Sequence, residues 1–208
     1  MDMKRVARGA RLALALMGVA VALGIPHAQE RSFKELVKEL QGGGYVLVMR
    51  HASSPREAPS KEAANADNAK LERQLDEAGR KGATAMGEAI RALRIPIGVV
   101  LTSPTYRAME TVRLAGLDSP TTFNELGDGG QSMQGITEAQ ASWLRTRVTA
   151  VPQFGNTLLV THQPNLSRAF PDWGSTVEDG ETVVIRPDAT GSITVVGRIR
   201  IRDWSQVR

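Results

Sequence analysis

Gly42-Gly43-Gly44-Tyr45-Val46-Leu47-Val48-Met49-Arg50-His51-Ala52-Ser53-Ser54-Pro55 decides how the rest of the chain is read. A glycine run feeds five apolar, mostly β-favouring residues, which stop on an Arg-His pair followed by small, turn-forming residues. A run apolar on both faces suits the interior of a sheet covered on both sides. In open α/β sheets ligands gather outside the carboxyl ends of the strands, so Arg50 and His51 belong at that edge. The pair fits an anion: a guanidinium fork clamps phosphate oxygens, and an imidazole can attack phosphorus or bind beside it. A solvent-facing dipeptide at a strand end is the plainer alternative.

Two later stretches repeat the arrangement. Ile97-Gly98-Val99-Val100-Leu101-Thr102 reads as a strand running into Ser103-Pro104-Thr105-Tyr106-Arg107, where Pro104 suits the first turn of a helix. Strand, tight turn and helix start make an anion site from free backbone N–H groups and the helix dipole, and Arg107 aims at the same place. Asn156-Thr157-Leu158-Leu159-Val160-Thr161 leads likewise into His162-Gln163-Pro164. The chain has three histidines, His27, His51 and His162. The last two both fall at strand ends beside turns, an arrangement that isolated structural histidines do not explain.

The amino terminus reads as an address label. Met1 to Arg11 carries Lys4, Arg5, Arg8 and Arg11, Leu12 to Ile25 is an uncharged apolar run, and Pro26-His27-Ala28-Gln29 offers a small residue for cleavage. This is the three-part pattern of a secretory signal peptide over residues 1–28, and the run is short for a membrane span of roughly 20 residues. A retained N-terminal anchor is the other reading. There is no cysteine, hence no lipid attachment site and no disulfide framework. The expectation is a periplasmic protein of residues 29–208 in one domain, with no stable membrane span after processing and an oligomeric state the sequence leaves open. The whole chain has a net charge of +4, but residues 1–28 hold four Lys/Arg against Asp2. The remainder is close to neutral, lacks a basic run and gives no electrostatic case for nucleic-acid binding.

Between these landmarks, Ser32 to Gln41 reads as a short helix, with Ser32 and Glu35 as a capping pair and the glycines as its stop. Ala52 to Ala69 reads as a long loop on the active-site side, with a helical turn near Lys61 to Ala66. Arg56 within it, and Arg73 just after, could each reach an anion or be solvated surface charges. A helix starts at Asp76 and ends before Ile95-Pro96; Gly79 and Gly82 are costly inside it unless something packs closely there. Thr137 to Val148 reads as a helix with Trp143 and Leu144 on its buried side. Phe170 and Trp173 could line a pocket or simply pack. Glu181 to Arg186 and Ser192 to Ile201 form a hairpin around Pro187-Asp188-Ala189-Thr190-Gly191. No internal repeat is present.

Four blocks together carry a resemblance. Val48-Met49-Arg50-His51-Ala52 is similar to the Arg-His-Gly/Ala signature of the histidine phosphatase superfamily, branch 1. Leu75-Asp76-Glu77-Ala78-Gly79-Arg80, Leu101-Thr102-Ser103-Pro104-Thr105-Tyr106-Arg107-Ala108-Met109-Glu110-Thr111 and Val160-Thr161-His162-Gln163-Pro164 resemble that family's next three blocks, in order, over roughly residues 42 to 170. The resemblance implies a three-layer α/β/α sandwich with a mainly parallel central sheet, the phosphoglycerate mutase-like fold, with the hairpin strands at the sheet edge.

It also implies a phosphoric monoester hydrolase acting through a phosphohistidine on His51, with Arg50, Arg107 and His162 around the phosphoryl oxygens. Arg56 and Arg73 are further candidates for phosphate. No metal and no cofactor are implied, and two histidines without cysteine supply no convincing transition-metal cluster. For the proton donor the resemblance points to Glu125, with Asp128 in the glycine-rich stretch after it as competitor, or to no acid at all. The implied partner is a phosphorylated small molecule or an envelope glycan. Three alternatives remain: a phosphomutase, a phosphohistidine-protein phosphatase, and a catalytically silent phosphate-binding module.

Overall fold

The computed structural model describes residues 31–117, 119–128 and 135–206. The leader-like residues 1–28 and His27 lie outside them. Helix α1 (Phe33–Leu40) opens with a complete capping box, in which the Ser32 backbone N–H donates to Glu35 Oε2 at 2.8 Å and Ser32 Oγ accepts from the Glu35 N–H. The chain then turns sharply because Gly43 and Gly44 sit at φ of 72° and 86°, a region side chains disfavour. That turn launches β1 (Val46–Arg50).

The elements that follow are α2 (Glu77–Ala92), β2 (Ile97–Thr102), α3 (Tyr106–Leu114), a short β3 (Thr121–Thr122), α4 (Glu138–Val148), β4 (Asn156–Thr161), α5 (Gln163–Ala169), β5 (Thr182–Pro187) and β6 (Ile193–Ile199). They build one six-stranded sheet in the order β3-β2-β4-β1-β5-β6. The pairs β3–β2, β2–β4 and β4–β1 are parallel, whereas β5 and β6 run antiparallel. Only β6 of the hairpin lies at the edge; β5 is internal, hydrogen-bonded to β1. The last strand also ends earlier than its apolar pattern suggests. The Arg200 backbone N–H donates to Asp203 Oδ2 at 2.8 Å, starting a 3-10 turn over Ile201–Gln206 that buries Trp204 edge-on against Phe33.

Strand β1 explains its own composition. Leu47 and Met49 enter the core shared with α1, α2 and α3, while Val46 and Val48 enter the core shared with α4 and α5. Helices therefore cover both faces, giving three layers and an uninterrupted apolar strand. Among the described residues no helix is long and apolar enough to cross a membrane.

The order β2-β4-β1 fixes where chemistry can happen. Arg50 pairs with Thr161 and Thr102 with Val160, so three parallel strands end side by side. The helix that follows this edge is locked onto it. Asp76 caps α2 through the Gly79 N–H at 2.7 Å and accepts from Ser53 Oγ at 2.6 Å. Gly79 is there because a Cβ would stand 2.1 Å from the Ser53 carbonyl oxygen. The long loop between is tied to α3 by Glu110, which is buried and accepts from the Leu75 N–H at 2.8 Å and Asn65 Nδ2 at 3.0 Å. The helical turn expected within that loop is a hydrogen-bonded turn over residues 60 to 64.

Candidate active site

At the carboxyl edge of β1, β2 and β4 the structure brings together His51, Arg107 and His162. They come from the end of β1, the first turn of α3 and the residue after β4. Arg107, 1% exposed, is the hub. Its Nε donates to His51 Nε2 at 3.1 Å, and its Nη2 lies 3.0 Å from His162 Nδ1 and 2.5 Å from Asp128 Oδ2. The two imidazole centroids are 5.0 Å apart. Thr111, one turn further along α3, accepts from the Ala52 N–H at 3.1 Å and donates to the Arg107 carbonyl, tying the start of the loop to the arginine.

These contacts fix both tautomers. His51 Nδ1 faces the Ala52 carbonyl at 2.8 Å. A carbonyl only accepts, so the proton sits on Nδ1 and Nε2 carries the lone pair. Arginine only donates, so His162 Nδ1 is the acceptor and its proton sits on Nε2, which donates to Ser103 Oγ at 2.8 Å with Thr105 Oγ1 at 3.3 Å.

Burial is the main reason both rings are neutral. It pulls His51 from its ordinary 6.5 to about 3, the Ala52 carbonyl opposing and the Arg107, Arg50 and Arg73 charges assisting. Burial likewise holds His162 well below 6.5, with His51 and the same arginines adding to it. The consequence for stability has a definite sign. As pH falls below 6.5 the unfolded chain protonates these imidazoles and the folded chain does not, so stability is full above 6.5 and drains away towards pH 3. For His51 the loss between pH 6.5 and 4.5 is about 2–3 kcal/mol. Melting temperatures measured at those two pH values should differ clearly less in His51→Asn than in the parent chain; equal differences would mean that His51 titrates normally.

Arg50 lies nearer the surface. Its Nη1 donates to the Val177 carbonyl at 3.0 Å and its Nη2 pairs with Asp179 Oδ1 at 2.6 Å. Arg73 hydrogen-bonds to the Pro55 carbonyl at 2.6 Å and to Ser54 Oγ at 2.8 Å. Its pKa is lowered by burial first and then by the Arg107 charge, with Asp128, Asp179 and Arg50 also within range, so it faces the same cluster. Arg56 is exposed on the loop and is not brought to the cluster. The Glu125 carboxylate makes no hydrogen bond or ion pair among the described residues; only its backbone carbonyl is engaged, accepting from Asn165 Nδ2 at 3.1 Å. Asp128, three residues on, reaches both Arg107 and, at 3.6 Å, His162 Nδ1.

The sequence reading weighed Asp128 and missed Asp179, Ser103 and Thr105 as partners of the cluster. Only Ser103 and Thr105 carried a usable signal, since both flank Pro104 at a strand-to-helix turn. Phe170 and Trp173 stack at 4.3 Å, and Phe170 belongs to the core rather than to a pocket. Among the described residues no group of three or more His, Cys, Asp or Glu side chains is placed to hold a metal ion.

This sheet order, with helices on both faces, is that of the phosphoglycerate mutase-like fold. Similar solved structures include the protein histidine phosphatase SixA complexed with tungstate, with a TM-score of 0.56 and 19% identity, covering 76% of this chain and 98% of that one. A candidate phosphohistidine phosphatase SixA from Agrobacterium tumefaciens has a TM-score of 0.51 and 15% identity over 75% of this chain and 97% of that one. The product of an open reading frame of Mycobacterium tuberculosis, with a TM-score of 0.51 and 16% identity, covers 74% and 97%. No protein-family model matches the sequence, and no curated protein matches it.

Proposed function

We propose that this protein is a histidine phosphatase that hydrolyses phosphomonoesters through a phosphohistidine on His51. The observation that carries the reading is the neutral His51 with its lone pair on Nε2, buried among Arg107, Arg50 and His162. A nucleophilic imidazole needs that lone pair, and a transferring phosphoryl group needs fixed donors around its equatorial oxygens. The neighbours described as histidine phosphatases, one of them solved with tungstate, a tetrahedral oxyanion, support the same reading.

In the first step Nε2 attacks phosphorus in line, the bond to the ester oxygen breaks, and that oxygen takes a proton from Asp128. In the second, Asp128 removes a proton from water, the water oxygen attacks phosphorus, the N–P bond breaks and inorganic phosphate leaves. Arg107 is the group that must move first. Its Nε–H occupies the His51 lone pair, and an incoming phosphoryl group draws the guanidinium onto its own oxygens. With the leader-like residues 1–28 ahead of it, the domain is proposed to act outside the cytoplasm on a phosphorylated small molecule or an envelope glycan.

The test is hydrolysis of an aryl phosphate by the purified protein, with rapid-quench isolation of labelled enzyme. Chelator-insensitive turnover and a protein-bound phosphate that survives base but not acid are expected. Phosphate ligands that bind without any turnover across about pH 4 to 8 would instead identify a silent binding module.

A further inference from the structure

The cluster has a floor and a mouth. His51, Arg107 and His162 are 4%, 1% and 1% exposed, Asp128 is 14% exposed, and Arg50 and Asp179 are 23% and 37% exposed. On the phosphatase reading, a phosphoryl group on the floor attacked by His51 sends its leaving group towards the exposed rim, where Asp179 stands paired with Arg50. That carboxylate is built into the edge. The turn carrying it is held by the Gly180 N–H on the His51 carbonyl at 3.0 Å, the Arg50 N–H on the Glu181 carbonyl at 3.1 Å and the Glu178 N–H on Glu181 Oε2 at 2.9 Å.

Asp179 gives one oxygen, Oδ1, to Arg50, and Oδ2 makes no hydrogen bond with any described residue. The neighbouring Glu178 points elsewhere, to Arg200 at 4.0 Å. Arg73, the cation facing the same cluster, has its Nε and Nη2 donors turned back onto Pro55 and Ser54. The mouth therefore offers an outgoing group an anionic acceptor with one oxygen to spare, while the outer Nη1 and Nη2 donors of Arg50 and the Nε and Nη2 donors of Arg73 are engaged and the partnerless Arg50 Nε–H is buried.

We propose that Asp179 determines specificity, selecting phosphate compounds whose leaving group carries an N–H cation such as an ammonium over those whose leaving group carries a carboxylate. The proposal rests on the phosphatase reading for the direction in which the leaving group exits. An ammonium accepts no bond but donates to Oδ2, and a carboxylate in the same place meets a like charge.

The pair that tests it is phosphoethanolamine and phosphoglycolate, equal in length and opposite in the charge of their tails. Dissociation constants from calorimetry on the purified protein are expected to favour phosphoethanolamine by about tenfold at low salt, a gap that narrows as salt is raised. In Asp179→Asn, which keeps an acceptor for Arg50 and removes the charge, the ratio should collapse towards one. If the substitution weakens both ligands by the same factor, or if the parent chain shows no preference, Asp179 merely props Arg50 and the proposal is overturned. Because the readout is binding, it is separate from the aryl phosphate assay: absent turnover defeats the phosphatase reading, whereas an unchanged ratio defeats only the charge selection.

Discussion

His51→Ala is expected to lower kcat for aryl phosphate hydrolysis by at least about 10⁴-fold while leaving the affinity for vanadate or inorganic phosphate within about tenfold of the parent. The two halves of that expectation come from different atoms. His51 Nε2 carries the lone pair that attacks phosphorus in the proposed route, and its removal takes that covalent route away. The oxyanion's buried donor stays: Arg107, held by Asp128 at 2.5 Å, keeps that partner when the His51 ring is gone, and the His162 ring remains pinned by Ser103 at 2.8 Å. The Arg107 Nε–H even gains freedom, since its acceptor is His51 Nε2. Arg107→Ala should show the opposite signature, with anion affinity and kcat falling together, because it also strips His51, His162 and Asp128 of a shared buried partner. Steady-state kinetics with vanadate inhibition separates the two. A His51→Ala enzyme retaining more than one per cent of parental kcat would mean that the phosphoryl group is passed directly to water, with His51 only lining the site.

The ease with which the fold was read follows from where its signals are local. Tyr45 to Met49 and Thr157 to Val160 are apolar because both sheet faces are covered, whereas Ile97 to Thr102 is buried only from Val100 on, with Val99 41% exposed, and the histidine or helix start after each announces the reactive edge. Gly79 was legible as an anomaly, costly in a helix, but its cause, the Ser53 carbonyl of a distant segment, is a packing fact no local pattern contains. The same limit applied to the charges. Arg56 and Arg73 look equivalent in sequence; one stays in solvent, while Ser54 and Pro55 fold the other towards the cluster. Asp179 had no signal at all, because its relation to Arg50 arises only when β5 pairs antiparallel with β1 and brings the preceding turn across the strand's end. Charge partners contributed by a turn that precedes a strand are fixed by sheet topology, and one-dimensional spacing does not carry topology.

Glu125 and Asp128 show the same limit at the step that matters most for rate. They are three residues apart, and Glu125 was the preferred donor on the resemblance. The 3-10 turn over Asn124–Leu126 uses the Glu125 carbonyl to anchor Asn165 and leaves its carboxylate without a tie to the cluster, whereas Asp128 follows the turn and lands on Arg107 and beside His162. Asp128 is the counter-ion of Arg107. A phosphoryl group that takes those guanidinium donors leaves the Asp128 carboxyl beside the reacting oxygens, the place a general acid must occupy. Asp128→Asn is therefore expected to slow an alkyl phosphate by about 10²–10³-fold and a nitrophenyl phosphate far less, since a good leaving group departs without protonation. Glu125→Gln should stay within about twofold of the parent on both esters, because its half-buried carboxylate makes no hydrogen bond or ion pair with the cluster. The decisive quantity is the ratio of kcat/KM for the two esters in each variant. Should Asp128→Asn slow both equally while Glu125→Gln skews the ratio, the donor is Glu125, and Asp128 only holds Arg107 in place.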